Sequence, residues 1–185
     1  MSSLLLRITF SLGIFLVCIF TFFDPAISQK ENIGVVEVQL IMKDSLAAKS
    51  IQSQIEKRRS IYESAVVKEE KRLRELEQEI SRQRSLLTPE AFNKKKQEFE
   101  TQVTAHKRNV RERRRILDQA YASGVRQLQQ KLAEIIAGIA RDRDILLVLP
   151  ASQVLFGEVS LLLTREALEA LDEKLPSVDL NLPTD

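Results

Sequence analysis

The sequence is poor in the residues that build compact cores, disulfides and catalytic centres. It has no tryptophan, two tyrosines, five prolines, five glycines, one cysteine and one histidine among 185 residues. Cys18 lies in an apolar N-terminal segment, so the chain that remains after removal of that segment forms neither disulfides nor thiolate metal sites. The lone His106 has no second histidine or cysteine to complete a metal site, and we interpret it as a structural residue.

Catalytic motifs are absent as well. The sequence contains no glycine-rich phosphate loop, no nucleophile elbow and no pair of carboxylates at strand ends. Its Asp and Glu residues are interspersed with Lys and Arg in stretches of helical spacing, a pattern typical of a solvated helix face. We therefore expect a protein that is not an enzyme and that needs no metal or other cofactor.

The N-terminus has the features of a secretory signal peptide. Residues 1–7 carry one cation, and residues 8–23 form a predominantly apolar run of sixteen residues. Small residues at positions 26 and 28 suit signal peptidase, so we predict a signal peptide over residues 1–28, cleavage before Gln29 and an exported protein. An uncleaved membrane anchor is the alternative, although the run is shorter than the ~20 residues of a spanning helix.

A long central stretch has few helix breakers. Residues 42–143 contain one proline, Pro89, and two glycines. Charged and aliphatic residues alternate there at helical spacing. The stretch therefore predicts a hairpin of two long antiparallel helices over residues 43–143, with its turn near residues 88–90. Thr88 is the expected cap of the returning helix, with Pro89 at its first position, where the missing N–H of proline is not needed.

The hairpin has a predicted register. In an antiparallel pair, facing residues have numbers with a constant sum, and the apolar residues of this stretch satisfy a sum of 179. The same register places Gly124 opposite Ile55. It leaves polar residues in several distal layers, so the apolar packing there is expected to be intermittent. The predicted partners are Leu87 with Phe92, Ile80 with Phe99, Leu76 with Val103, Leu73 with His106, Tyr62 with Leu117, Ile51 with Leu128, and Ala47 with Leu132.

Short strand patterns lie on either side of the hairpin. Residues 33–40 are rich in β-branched residues and predict a buried strand, and residues 145–149 predict a second strand that Pro150 ends. Residues 154–160 form a weaker third candidate. Two or three short strands have exposed edges, which association with further copies of the chain would cover.

The C-terminal part predicts one short helix and a tail. Thr164 is the expected cap of a helix over residues 165–174, and we expect residues 179–185 to be loose. Together, residues 29–42 and 144–178 would form a small β-rich body from which the hairpin extends. The predicted fold class is α+β, mainly α.

Charge is unevenly distributed along the chain. Residues 43–115 contain 20 Lys and Arg against 12 Asp and Glu, a net charge of +8, whereas residues 116–185 have a net charge of −5. On the hairpin, the register brings five basic residues to a similar level. An anionic partner is one interpretation, either an acidic polypeptide or a lipid or lipopolysaccharide surface; a solubilising surface is the other. Nucleic acid is disfavoured, because the stripe lacks aromatic residues for stacking. The five residues are Lys68, Arg72, Lys107, Arg111 and Arg115.

Four stretches resemble a known family. The segments IGVVEVQLIMKDS, LTPEAFNKKKQEFE, ILLVLPASQVLF and LTREALEALDEKLP are similar, in this order, to the opening strand, tentacle tip, returning strand and closing helix of the Skp/OmpH family of periplasmic chaperones. The resemblance covers about residues 33–178. It implies a jellyfish-like homotrimer whose small β-body carries three helical tentacles around a cavity that holds unfolded outer-membrane proteins.

The resemblance implies an ATP-independent holdase with basic arms and apolar contacts near their tips. The five basic residues are the candidates for electrostatic client binding, and Leu86, Leu87 and Phe92 are the candidates for apolar contact. For these three residues, closure of the hairpin turn at Thr88 and Pro89 is the alternative role. A membrane-anchored structural coiled coil or adaptor of the cell envelope is the alternative function for the whole chain.

Overall fold

The computed structural model describes residues 33–183, so the predicted signal peptide and its cleavage before Gln29 lie outside the described residues. The described chain begins with strand β1 (Ile33–Val36) and helix α1 (Val38–Asp44). Two long helices follow, α2 (Leu46–Gln83) and α3 (Pro89–Asp142). The last elements are strand β2, two short 3-10 helices and helix α4, at Leu147–Pro150, Ala151–Gln153, Val159–Leu161 and Thr164–Lys174. The predicted fold class, a mainly helical α+β fold with long helical arms and a small sheet, is confirmed.

The hairpin arms differ in length. Helix α2 has 38 residues and α3 has 54, so at ~1.5 Å per residue they extend about 57 and 81 Å. The Ser45 hydroxyl accepts a hydrogen bond from the Ala48 N–H at the start of α2. At the start of α3, the Thr88 hydroxyl accepts from the Ala91 N–H at 3.3 Å, and Pro89 is the first helical residue.

The turn lies earlier in the chain than predicted. Helix α2 ends at Gln83, and the backbone N–H groups of Leu86 and Leu87 both donate to the Gln83 carbonyl. The connection therefore occupies residues 84–88 and is centred near residue 86, not at 88–90. The physical reason is that a returning helix that starts at Pro89 needs the whole reversal of the chain before that residue.

The register is displaced in the same direction. The Arg113 guanidinium lies 4.8 Å from the centre of the Tyr62 ring, and Arg72 donates to Gln102 across the arms. The numbers of these pairs sum to 175 and 174 instead of 179. The α2 side chain nearest to a Cβ at Gly124 is that of Ile51, whereas the predicted neighbour was Ile55. A displacement of four residues is about one helical turn and retains the same helix face, so most of the predicted seam residues towards the base are still buried.

The two strands form one parallel sheet. Ile33 pairs with Leu147, and Val36 pairs with Pro150. The strand predicted over residues 33–40 is wrong beyond Val36, because the chain turns into α1 at Val38. Helical spacing there buries Ile41 completely and Val38 and Met42 in part, and this burial overrides the β propensity of the segment.

The third predicted strand is wrong. Residues 154–160 form no strand, and the sheet receives only an isolated bridge between Val35 and Leu162. The side chains of Leu155 and Phe156 are exposed. Residues 154–160 therefore have the β-branched and aromatic composition of a strand but pair with no other strand of the described chain.

Helix α4 closes the body. Thr164 is its first residue, not its cap, and the Thr164 hydroxyl accepts a hydrogen bond from the Glu37 N–H at 2.9 Å. Leu171 of α4 is fully buried, and Asp172 accepts from the Leu46 N–H at the start of α2. The predicted capping residue instead joins α4 to the end of β1.

The described C-terminal residues are packed, contrary to the expected loose tail. The main apolar cluster lies at the base of the hairpin and includes Val178 and Leu180. Beyond Tyr62 and Leu117, only Leu73 and Ile80 are buried among the described arm residues. The cluster also contains Val36, Ile41, Ile51, Leu128, Leu132, Ile135, Ile139, Leu163, Ala167 and Leu171.

The two glycines of α3 offer a matched test of this packing. Gly138→Ala should raise the free energy of unfolding by about 0.5–1 kcal/mol, because alanine favours helix and open space surrounds this position. At Gly124 a Cβ would lie 2.6 Å from Leu180 and 3.2 Å from Ile51, so overpacking of about 1–3 kcal/mol should offset or reverse the gain. Chemical denaturation measures both values. Equal stabilisation by the two substitutions would contradict the close contact at Gly124.

Candidate functional site

The distal half of the hairpin is loosely packed. A cavity of about 350 Å³ lies between α2 and α3. Glu69, Arg72, His106 and Arg113 line it together with small and apolar side chains. The polar side chains at this level agree with the polar residues that the sequence predicted in several distal layers of the hairpin. Long polar side chains thus replace apolar interdigitation at this level, and the two arms have few apolar contacts with which to resist bending.

Two of the five predicted basic residues have partners. Arg72 donates to both Glu69 carboxylate oxygens at 2.7 and 2.9 Å, and to Gln102 at 2.7 Å. Arg115 donates to both oxygens of Glu112, and to Gln119 at 2.9 Å. Their charges are partly neutralised on the arm itself, which reduces what they offer to a partner.

These ion pairs lower the pKa values of the two carboxyl groups. The hydrogen bond from Arg72 lowers the pKa of Glu69, and Coulombic attraction to Arg72 and His106 acts in the same direction. The hydrogen bond from Arg115 lowers the pKa of Glu112 in the same way. Both pairs are largely exposed, so they shape the charge of the arms more than they stabilise the fold.

The other three predicted basic residues have free charges. Lys68, Lys107 and Arg111 are exposed, and none forms a hydrogen bond or ion pair with any residue in the range 33–183. Sequence reasoning missed Arg114, which lines a shallow surface depression of α3 beside Arg111. The run of three arginines at 113–115 was the signal that could have identified it.

The predicted apolar tip is only partly exposed. Leu86 is 82% exposed, whereas Leu87 and Phe92 are half-buried. The Arg84 guanidinium lies 5.9 Å from the centre of the Phe92 ring. Of the three candidates, Leu86 alone presents most of its side chain to a partner, and the partial burial of the other two favours a role in closing the turn.

The body exposes more large apolar side chains than the tip, and the sequence analysis did not identify them. Leu146, Leu155, Phe156 and Val159 are each at least 80% exposed. Because large exposed apolar patches usually mark interaction sites, this part of the body is a candidate interface with another chain. The available signal for this surface was the weak strand pattern of residues 154–160, a segment with no obvious partner strand in the sequence.

A further groove lies at the base of the arms. It has a volume of about 700 Å³, and the half-exposed Tyr121 stands on its wall. Apolar side chains of three helices contribute to its lining: Met42, Ile55, Leu117, Val125 and Leu128.

The described residues present no grouping of three or more His, Cys, Asp and Glu side chains that could hold a metal ion. His106 belongs to the wall of the cavity between the arms. Within the same part of the chain, no helix has the length and hydropathy to cross a bilayer.

Comparison with protein families identifies the group to which these arms and body belong. A family model described as outer membrane protein (OmpH-like) matches residues 32–171. The chain belongs to the OmpH-like family. The match spans the sheet, the whole hairpin and most of α4, so it includes both the basic arms and the exposed apolar surface of the body.

The OmpH-like architecture is also found in a solved structure. A crystal structure from Caulobacter crescentus CB15, described as a candidate outer membrane chaperone (OmpH-like), superposes with a TM-score of 0.77. The similarity covers 84% of this chain and 92% of that chain, at 12% sequence identity, and therefore shows the shared fold. No curated protein matches the sequence significantly.

The ion pair at Glu69 predicts a pH response. Because Arg72 lowers the pKa of Glu69, Arg72→Gln should raise the titration midpoint of that carboxyl towards its ordinary value. The stabilising effect of the pair should be present at neutral pH and be lost as the pH falls through the lowered pKa. Carboxyl-carbon NMR titration of wild type and variant measures the shift. If the titration midpoint of Glu69 is the same in the Arg72→Gln variant, the hydrogen bond from Arg72 does not determine the pKa of Glu69.

Proposed function

We propose that this chain is an ATP-independent holdase chaperone of the periplasm that holds unfolded outer-membrane proteins between its helical arms. Membership of the OmpH-like family supports this assignment. The observation that carries it is the pair of long, thinly packed arms with unpaired basic side chains along them. Such arms offer accessible surface and positive charge, and the proposal includes no catalytic step.

Long-range attraction is the first step of the proposed mechanism. Lys68, Lys107 and Arg111 attract acidic segments of an unfolded chain over distances near the Debye length, about 8 Å at physiological salt. Arg72 and Arg115 contribute less because each is already paired with a glutamate. The same positive charge would attract anionic lipid head groups or lipopolysaccharide, which makes these surfaces competitors of the polypeptide.

Weak apolar contact is the second step. Leu86 at the tip, Val67 on α2 and Tyr121 near the base are exposed along the arms. Scattered single contacts of this kind hold a chain without burying enough area to trap it. Release then needs no nucleotide, because a client that folds elsewhere leaves by the dissociation of individually weak contacts.

We further propose that three copies assemble through the body. A two-stranded sheet is marginal on its own, and within the described chain β2 pairs only with β1. Leu155, Phe156 and Val159 would be covered by neighbouring copies around an axis. Three hairpins on one body would enclose a client and separate it from other unfolded chains.

Charge reversal tests the basic arms. The triple variant Lys68→Glu, Lys107→Glu and Arg111→Glu should require at least about threefold more protein to suppress aggregation of an acidic unfolded outer-membrane protein at low salt, because its attraction becomes repulsion. Light scattering measures the suppression. The wild-type advantage should fade as salt rises.

The matched control has the same change in net charge away from the distal arms, in Arg126→Glu, Arg165→Glu and Lys174→Glu. It should retain most of the wild-type activity. Equal loss in both triple variants would mean that net charge, not its position on the arms, controls client binding. Unchanged activity in the arm variant would leave these cations without a role in holding clients.

Assembly is tested by native mass. The mature protein should have about three times the mass of one chain by light scattering, because association covers the exposed apolar surface of the body. Leu155→Asp with Phe156→Asp should yield monomers. As a control, Leu86 is also apolar and exposed but lies at the tip, so Leu86→Asp should leave the native mass unchanged. A monomeric wild-type protein would contradict the enclosing arrangement.

A further inference from the structure

The C-terminal segment lies on the base of the hairpin as an alternating peptide. Val178 and Leu180 are 2% and 8% exposed, and Leu182 packs against the same cluster. The residues between them, Asp179 and Asn181, are exposed. The segment contains no helix and no strand, so it is held by side-chain pockets and not by a backbone ladder of its own.

The side chain of Gln54 on α2 binds the backbone of this segment. Its amide nitrogen donates to the Val178 carbonyl at 2.6 Å, and its amide oxygen accepts from the Leu180 N–H at 3.3 Å. A residue in a neighbouring parallel strand makes the same two bonds, to the carbonyl and the N–H on either side of one residue. The Ser50 hydroxyl accepts from the same Gln54 nitrogen at 3.0 Å and orients it.

A pocket on α3 receives the second apolar side chain. A Cβ at position 124 would lie 2.6 Å from the Leu180 Cδ2 atom, so the pocket exists because residue 124 is glycine. Ile51 lies beside it on α2. This contact explains a glycine in the interior of a long helix, where it otherwise weakens the helix.

We propose that the groove formed by Gln54, Ile51 and Gly124 is a peptide-binding site for segments with apolar side chains at alternate positions. The C-terminal segment is its intramolecular occupant. Gln54 donates one hydrogen bond to a backbone carbonyl and accepts one from a backbone N–H, so the site tolerates any residue that has an N–H at the Leu180 position. The pocket at Gly124 adds the requirement for an apolar side chain there. Backbone pairing with pockets at alternate positions is a known mode of peptide recognition.

The natural ligand class rests on the proposed function. Strands of outer-membrane barrels alternate apolar and polar residues, which is the pattern of Val178, Asp179, Leu180 and Asn181. The tethered segment competes at a high effective concentration. It therefore limits binding to clients that present many such strands, and it returns to the groove when they leave.

Displacement of the tail tests the site in the full mature chain. The variant Val178→Asp with Leu180→Asp should release the segment and bind a fluorescein-labelled peptide with the sequence of residues 176–185. Its affinity should exceed that of wild type by at least about tenfold, because the tethered competitor is lost. Fluorescence anisotropy measures binding, and circular dichroism checks that the helices remain. Ser177→Asp, which adds a charge at an exposed position of the same segment, should behave as wild type.

Two further variants identify the groove. When Gln54→Ala is added to the Val178→Asp, Leu180→Asp variant, the gain in peptide affinity should be lost. A labelled peptide with proline in place of the residue equivalent to Leu180 should not bind the double-aspartate variant, because proline has no N–H to donate to Gln54. If the double-aspartate variant does not fold, Leu180→Ala provides the milder release and should still increase peptide affinity by about threefold. A folded released variant with no gain in affinity, or a gain that does not depend on Gln54, would overturn the proposal.

A second assay separates this site from the proposed holdase activity. Suppression of aggregation of an unfolded outer-membrane protein is measured in parallel, and release of the tail should increase it. Peptide binding without any suppression by wild type or variant would retain the site and refute the holdase function. Suppression by wild type without peptide binding by the released variant would refute the site and retain the function.

Discussion

Burial of one apolar cluster at the base of the hairpin is the constraint on which the rest of the described chain depends. Ile41, Ile51, Leu128 and Leu171 come from four different helices and are almost completely buried there. Burial of each aliphatic side chain of this size contributes about 1.5–3 kcal/mol. Helix formation is costly to start and easy to extend, so a helix pair anchored at this cluster can continue far beyond it with little packing of its own.

The apolar packing that stabilises the fold and the exposed surface that a partner can contact therefore lie in different parts of the hairpin. The base has the apolar contacts, and the distal arms have a cavity lined partly by charged side chains, ion pairs along the helix surface and unpaired cations such as Lys107. An arm that buried more apolar surface against its partner would be stiffer and would have less surface to offer. The positive charge lies on exposed side chains of the arms, whereas residues 116–185, which include the base of α3, have a net charge of −5.

The part of the fold that follows from local pattern could be predicted. Apolar residues repeat at helical spacing through α2 and α3, and Thr88 with Pro89 marks a helix start, so the two arms and most of the seam face near the base were accessible to sequence reasoning. The register was displaced by about one turn, because helices related by such a shift present the same face. The pairing of Arg72 with Glu69 and of Arg115 with Glu112 follows an i,i+3 spacing that the sequence contains. The contact between Arg72 and Gln102 depends on the register of the two arms, which local pattern does not determine.

The sequence by itself determined the mainly helical character, the reach of the arms and their positive charge, because these depend on residue spacing and composition within each segment. Only the tertiary structure decided where β1 ends, which residues form the turn and that the C-terminal segment packs on the hairpin. Ile41 overrides a strand pattern through burial, and Gln54 meets Val178 from 124 positions away. Such outcomes depend on competition between contacts that are distant in the chain, and local periodicity carries no information about them.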